Sequence, residues 1–188
     1  MSTVVMEQRK KIHPHKFTLW IGIGSILMMF AGLTSAYIVK RNQANWITFE
    51  LPLAFWYSTV AIIASSITLF LAGRAFKSRE MLRYRSLMSV TIVLGVLFIL
   101  MQVIGFNQLI QQGVGLGKTV SVDFLWVIVL LHAAHVIGGI VALIVLFRKA
   151  FSGKTRTYNA VPVEVTSTYW HFVDILWIYL LLFLIMIR

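Results

Sequence analysis

Residues 124–147 read FLWVIVLLHAAHVIGGIVALIVLF, a run of 24 residues without an acidic or basic side chain. A helix that crosses the hydrocarbon of a bilayer needs roughly 20 predominantly apolar residues, so this run is long enough to do so. Asp123 precedes it and Arg148 follows it, which places the nearest charges at its two ends. We therefore predict a transmembrane helix here.

Four further segments have the same character. They cover residues 18–39, 53–73, 87–109 and 169–187, and Asp174 is the one charged residue within any of the five. The whole chain is 59% apolar and 12% charged, whereas soluble domains have about 45–50% and 25%. The sequence predicts an all-α polytopic membrane protein with five transmembrane helices, forming a single membrane domain over residues 1–188.

The basic residues are distributed unevenly between the predicted loops. Thirteen lie in the tail, residues 1–17, and in the loops after the second and fourth spans, whereas Lys40, Arg41, Lys118 and Arg188 are on the other side. Cytoplasmic loops are enriched in Lys and Arg, so we predict a cytoplasmic N-terminus and an outside C-terminus. The net charge of +11 is then a sign of topology, and no nucleic-acid partner is expected.

A few polar side chains fall within or beside the predicted spans. His132 and His135 are three residues apart in the fourth span, as are His171 and Asp174 in the fifth, and Glu164 just precedes the fifth. Ionisable groups are costly in a membrane and need an explanation. Hydrogen bonding between helices or subunits is our main interpretation. A proton relay through these groups is the alternative, because histidine titrates near neutral pH.

Cofactor sites are harder to reconcile with these positions. If the fifth helix starts at residue 169, His171 lies within about 5 Å of the cytoplasmic edge, whereas His132 and His135 lie roughly 12–20 Å below the outer face. A haem b with two axial histidines needs ligands at one depth. A zinc ion needs ligands beyond the histidine pair, and the chain has no cysteine. We expect no catalytic, metal or cofactor site in this chain.

Aromatic residues complete the pattern. Trp46, Trp56, Trp126, Tyr169 and Trp170 fall near the predicted span ends. Tryptophan and tyrosine are enriched at membrane–water interfaces, so we expect these residues to form an aromatic belt.

The chain resembles subunit III of the haem-copper oxidases, in the short five-helix bacterial form. Residues 164–177 carry the most specific motif, E-x4-Y-W-H-F-V-D-x-x-W, which includes Trp170. The motif H-x-x-H-V-x-x-G follows from His132, and Phe30 opens F-A-G-L-T-S-A-Y. Residues 65–68 in the second span and Gln102 in the third also match, so the resemblance touches all five spans.

This resemblance implies an accessory role without redox centres. Such a subunit contacts subunit I mainly and belongs with subunit II in a cytochrome c or quinol oxidase that reduces O2 to water and pumps protons. Haem and copper are then expected in the partner subunits, and bound phospholipid in this one. The implied location is the bacterial inner membrane, with a larger respiratory supercomplex as a further level of assembly.

One position departs from the family pattern. Relatives usually carry a membrane-embedded Glu directly after a Ser in this first helix, but here Ile26 follows Ser25. Because of this departure, a subunit III-like component of nitric oxide reductase is one alternative to an oxidase subunit. A small proton-coupled transporter is a second alternative, although such proteins commonly show repeated halves or broken helices, which this sequence lacks.

Overall fold

The computed structural model of the protein describes residues 14–40, 50–117, 119–151 and 160–187. These residues form helices and turns without a β-strand. In chain order the helices are α1 Pro14–Lys40, α2 Leu53–Lys77, α3 Met81–Gln111, α4 Val120–Phe151 and α5 Val161–Ile187. Each is long and apolar enough to cross a membrane, so the prediction of an all-α protein with five such helices is confirmed.

The helices extend beyond the apolar segments from which they were predicted. The largest difference is at α5, which begins at Val161 rather than at residue 169. Pro162 occupies its first turn, where the missing N–H is not needed for an intrahelical hydrogen bond. The next residues include Glu164 and three hydroxyl side chains, which lower the hydropathy but do not prevent a helix. Helix formation therefore continues where the apolar signal is weak.

Two helices end in the same hydrogen-bonded motif. At the end of α2, Glu80 N–H donates to the Ala75 carbonyl and Arg79 has a left-handed φ of 61°. At the end of α3, Val114 N–H donates to the Leu109 carbonyl and Gly113 has a φ of 95°. These are the bonds of a Schellman motif. The first one turns the chain within residues 78–80, so α2 and α3 form an antiparallel pair.

Helix α5 is the centre of the bundle. It packs against α1, α2 and α4, while α3 packs against α2 and α4. Of the residues in the apolar stretch of α5, 50% are buried, whereas in the corresponding stretch of α1 11% are buried. Within the described residues α1 contacts α4 and α5 but not α2. The central position of α5 places its polar side chains against several neighbouring helices at once.

Candidate functional site

His171 lies between α2 and α5 with both ring nitrogens engaged. Its Nδ1 is 2.5 Å from Oγ of Ser66, and its Nε2 is 3.2 Å from Oγ of Ser167. His171 is ten residues from the start of α5, about 15 Å along the axis. Helix α5 thus starts two turns earlier than the apolar segment on which the membrane depth of His171 was predicted, and that depth stays a prediction.

Asp174 lies one turn further along α5 and is 4% exposed. Neither of its carboxylate oxygens has a partner with full hydrogen-bond geometry within the described part of the chain, although the Ser66 hydroxyl lies close enough to interact with the carboxyl group. A buried carboxyl group without a partner is costly. The cost marks Asp174 as the polar group that packing within this chain explains least.

The fourth-span histidines have different environments. The His132 ring is 3% exposed and stacks on Trp177, with 5.5 Å between ring centres, and Phe98 meets it edge-on. Neither of its ring nitrogens has a partner among the residues described. His135 is half-buried, and its Nδ1 lies 2.6 Å from the carbonyl oxygen of Leu131 in its own helix.

Phe30 connects the fourth-span histidines to α1. Its ring centre lies 6.4 Å from that of His132 and 5.9 Å from that of His135, in edge contacts. Across the described ranges, no group of three or more His, Asp and Glu side chains is placed to hold a metal ion. The geometry around these histidines is that of aromatic packing.

Trp170 lies in the interior of the bundle and not at an interface. It is 1% exposed, and its Nε1–H donates to Oγ of Ser65 at 2.8 Å. A Cβ built on Gly95 or on Gly139 would lie 2.9 Å from its ring. The aromatic-belt prediction is therefore wrong for Trp170, which fills the space left by glycines on α3 and α4.

Tyr169 is partly buried and reaches across to α4. Its hydroxyl donates to the backbone carbonyl of His135 at 3.1 Å, near the middle of α4. Trp56 is about half exposed, and Trp126 donates from Nε1 to the carbonyl of Val114 near the start of α4. Trp46 lies outside the described residues.

Gln102 is buried between α2 and α3. Its amide nitrogen donates to Oγ of Ser58 at 2.9 Å, while its Oε1 has no partner in the described segments. Thr68 and Thr91 join the same two helices through their hydroxyls, 2.8 Å apart. Sequence reasoning did not identify the threonine pair, because neither residue carries a charge that would single it out.

Glu164 joins three helices at one end of the bundle. Its Oε2 lies 2.7 Å from Nζ of Lys16 on α1, and its Oε1 lies 3.2 Å from Nζ of Lys77 on α2. At the same end, Arg85 on α3 donates to the carbonyl of Ala150 near the end of α4. The helix ends that carry most of the described basic residues therefore lie at the same end of the bundle.

The structure thus divides the residues that the sequence singled out into separate settings. Trp170, His171 and Gln102 contact serine hydroxyls on α2, His132 is enclosed by aromatic rings, and Glu164 lies in an ion-pair cluster. Sequence analysis included Ser65 and Ser66 only as part of a motif and did not single out Ser58. Their role as partners depends on which helices are neighbours, and the spacing along one chain does not contain that information.

Comparison with known proteins gives the family. The family model described as "Cytochrome c oxidase subunit III" matches residues 43–187. The chain is 32% identical to the probable cytochrome c oxidase subunit 3 of Nocardia farcinica, over 84% of this chain and 80% of that protein. It is 31% identical to the probable cytochrome c oxidase subunit 3 of Mycobacterium tuberculosis, over 89% and 85%.

A subunit of a quinol oxidase is similar as well. The cytochrome bo(3) ubiquinol oxidase subunit 3 of Buchnera aphidicola is 29% identical, over 86% of this chain and 81% of that protein. The resemblance that was inferred from the motifs in all five spans is confirmed by these matches. The chain therefore belongs to the cytochrome c oxidase subunit III family.

Proposed function

We propose that this protein is the accessory, non-redox subunit III of a proton-pumping terminal haem-copper oxidase in the bacterial inner membrane. It is a single membrane domain with the N-terminus in the cytoplasm and the C-terminus outside. It stabilises subunit I by direct contact, adjoins subunit II, holds phospholipid and supports proton uptake. Haem and copper belong to the partner subunits.

The observation that carries this proposal is how the buried polar groups are used. Both ring nitrogens of His171 lie beside serine hydroxyls, and His132 is packed between Trp177 and Phe98. Hydrogen bonds and close packing hold membrane helices together where the hydrophobic effect contributes little. These histidines thus support a structural role, and family membership supplies the complex in which that role is exercised.

The orientation follows from the charges at one end of the bundle. Among the described residues, basic side chains lie near the start of α1, the end of α2, the start of α3 and the end of α4. They are Lys16, Lys77, Arg85 and Arg148. The contacts of Glu164 with Lys16 and Lys77 support placing these termini on one side. The positive-inside bias assigns that side to the cytoplasm.

A direct role in proton transfer is the second candidate, and Asp174 favours it. A buried carboxyl group without a partner is the kind of group that marks proton pathways in membrane proteins. The Asp174→Asn variant separates the candidates. A structural role predicts normal assembly with normal O2 uptake, whereas a proton-transfer role predicts normal assembly with slowed O2 uptake.

Assembly itself is tested by purification through a tag on this chain after mild extraction. The proposal predicts that a haem-copper catalytic subunit is identified by mass spectrometry in the purified material. Membranes from a deletion strain should retain haem absorbance but lose O2 uptake faster during sustained turnover, and the restored chain should correct this. An unchanged time course in the deletion strain contradicts the proposed role.

A further inference from the structure

A cavity of about 320 Å³ lies between α3 and α4, in the half of the bundle away from Glu164. It extends along residues 98–110 of α3 and 126–136 of α4, and we call it the α3–α4 cavity. Val103 and Leu130 line it and are 62% and 55% exposed. The cavity therefore opens on the outer surface of two membrane-spanning helices, where a molecule dissolved in the bilayer can enter.

Two buried polar side chains with unmet hydrogen-bonding capacity line this cavity. Most of its lining residues are aliphatic or aromatic, and the polar ones are Gln102, Asn107 and His132. Gln102 is 9% exposed and His132 is 3% exposed. Within the described ranges, Oε1 of Gln102 and both ring nitrogens of His132 have no hydrogen-bond partner. Such atoms are costly to bury, so their presence beside one cavity points to a ligand with polar groups of its own.

The hydrogen bonds of Ser58 determine what such a ligand must offer to Gln102. The Ser58 hydroxyl donates its proton to the carbonyl of Phe55 at 2.9 Å, so its oxygen can only accept from the amide nitrogen of Gln102. The free atom of Gln102 is therefore the carbonyl oxygen, which needs a donor. A neutral His132 ring has one N–H donor and one acceptor nitrogen. A hydroxyl group meets both needs, because it donates and accepts.

The remaining walls of the cavity favour a flat apolar ring. Phe98, Phe106, Trp126 and Trp177 line it, and aromatic rings pack well on one another in offset or edge-to-face contacts. Water alone is a poor occupant, since a buried water needs two to four polar partners and most of these walls are apolar. The volume lies within the range of about 300–1,000 Å³ that is usual for small-molecule sites, which combine apolar walls with a few polar groups.

We propose that the α3–α4 cavity binds a membrane-soluble hydroquinone. One hydroxyl group donates to Oε1 of Gln102, an oxygen of the same molecule accepts from the His132 ring, and the aromatic ring packs among the aromatic side chains of the cavity. An apolar substituent on the ring leaves between Val103 and Leu130 into the bilayer. The ligand is bound without chemical change. The proposal is independent of the proposed function, because it uses only residues of this chain and assumes no orientation in the membrane.

The test compares tetramethylhydroquinone with its oxidised form, tetramethylbenzoquinone, on the full-length chain in nanodiscs without oxygen. Equilibrium dialysis measures how much of each compound is bound, and empty nanodiscs correct for uptake by the lipid. The wild type should bind the reduced compound saturably and roughly three- to tenfold more tightly than the oxidised one, because only a hydroxyl can donate to Gln102. Gln102→Met should abolish that preference, whereas the matched control Gln108→Met, on the exposed surface of α3, should retain it.

Two further variants test the location of the site. Ala133 lines the cavity, whereas its neighbour Ala134 is exposed and does not. Ala133→Leu should therefore fill the cavity and weaken the binding of both compounds, and Ala134→Leu should bind them as the wild type does. His132→Phe should also weaken binding. It should not lower the midpoint of thermal unfolding, because no hydrogen bond within the described residues is lost and a phenyl ring can replace the imidazole against Trp177.

Three results would overturn the proposal. Uptake by the wild type that is no greater than that of empty nanodiscs shows that the cavity binds neither compound. Equal affinity of the wild type for the two compounds contradicts the hydroxyl donor assigned to Gln102. Saturable binding that Ala133→Leu leaves unchanged shows that the compounds bind elsewhere on the chain. Each of these results leaves the proposed function standing, because copurification with a catalytic subunit is measured without either compound.

Discussion

The indole ring of Trp170 lies directly over the backbone of Gly139, so that a Cβ built on this glycine would be 2.9 Å from Cε3 of the ring. The opposite edge of the indole approaches Gly95 on α3 equally closely, and its Nε1–H reaches Ser65 on α2. One side chain of α5 therefore contacts three other helices. Close packing of this kind is a main source of helix association in membranes.

Gly139→Ala should destabilise the protein by about 1–3 kcal/mol, because the added methyl group would displace a fully buried ring. Gly138→Ala is the matched control, since its Cβ would meet the Tyr169 hydroxyl at an ordinary 3.9 Å. The measurement is the midpoint of thermal unfolding of each purified variant in the same detergent. Equal midpoints for the two variants would contradict the packing described for Trp170.

Ser66→Ala should lower the stability by about 1 kcal/mol, because Nδ1 of His171 loses its partner while Nε2 retains Ser167. Ser25→Ala removes an exposed hydroxyl that donates only to the carbonyl of Ile21 in its own helix, and it should have no measurable effect. In the His171→Ala background, Ser66→Ala should cost much less, because the interaction is already absent. An equal cost in both backgrounds would show that the two side chains do not interact.

Asp174→Leu should leave the unfolding midpoint unchanged or raise it. The carboxyl group has only a contact with the Ser66 hydroxyl that lacks full hydrogen-bond geometry, so the substitution loses little and removes a costly buried polar group. His171→Ala, one turn away, should lower the midpoint under the same conditions. A large loss of stability in Asp174→Leu would contradict this expectation and show that the carboxyl group has a strong partner, either Ser66 or a group outside the described residues.

Glu164→Gln should reduce the stability by less than about 1 kcal/mol, because the two ion pairs with Lys16 and Lys77 are partly exposed. The difference from the wild type should shrink further in high salt, which screens exposed charges. A loss of stability in Glu164→Gln that is the same in low and high salt would contradict a contribution from these ion pairs.

The number of helices could be predicted from the sequence, because each apolar segment is long enough to cross a bilayer and charges lie between the segments. The start of α5 could not be predicted in this way, because the stretch from Val161 to Thr168 is too polar to be recognised as part of an apolar segment. That difference of two turns places Trp170 and His171 in the third turn of α5 rather than in its first.

The spacing of the polar residues predicted which of them share a helix face, but it did not predict which residues of other helices they contact. His132 and His135 share a face as their separation implies, yet His132 is enclosed against Trp177 while His135 is half-buried. Which of the two histidines is enclosed depends on the packing of α5 against α4. The contact of His132 with Trp177 joins residues 45 positions apart in the chain. Likewise, Ser65 and Ser66 are ordinary small residues of α2 until α5 brings Trp170 and His171 beside them.

The most direct test of the account is the visible absorbance, with and without dithionite, of material purified through a tag on this chain. The spectrum is recorded for the intact assembly and again after the chain is separated from its partners. We predict haem bands in the assembly that stay with the catalytic subunit on separation, which leaves this chain colourless. Haem bands that remain with the isolated chain, or an assembly without haem, would contradict its assignment as the non-redox subunit of a haem-copper oxidase.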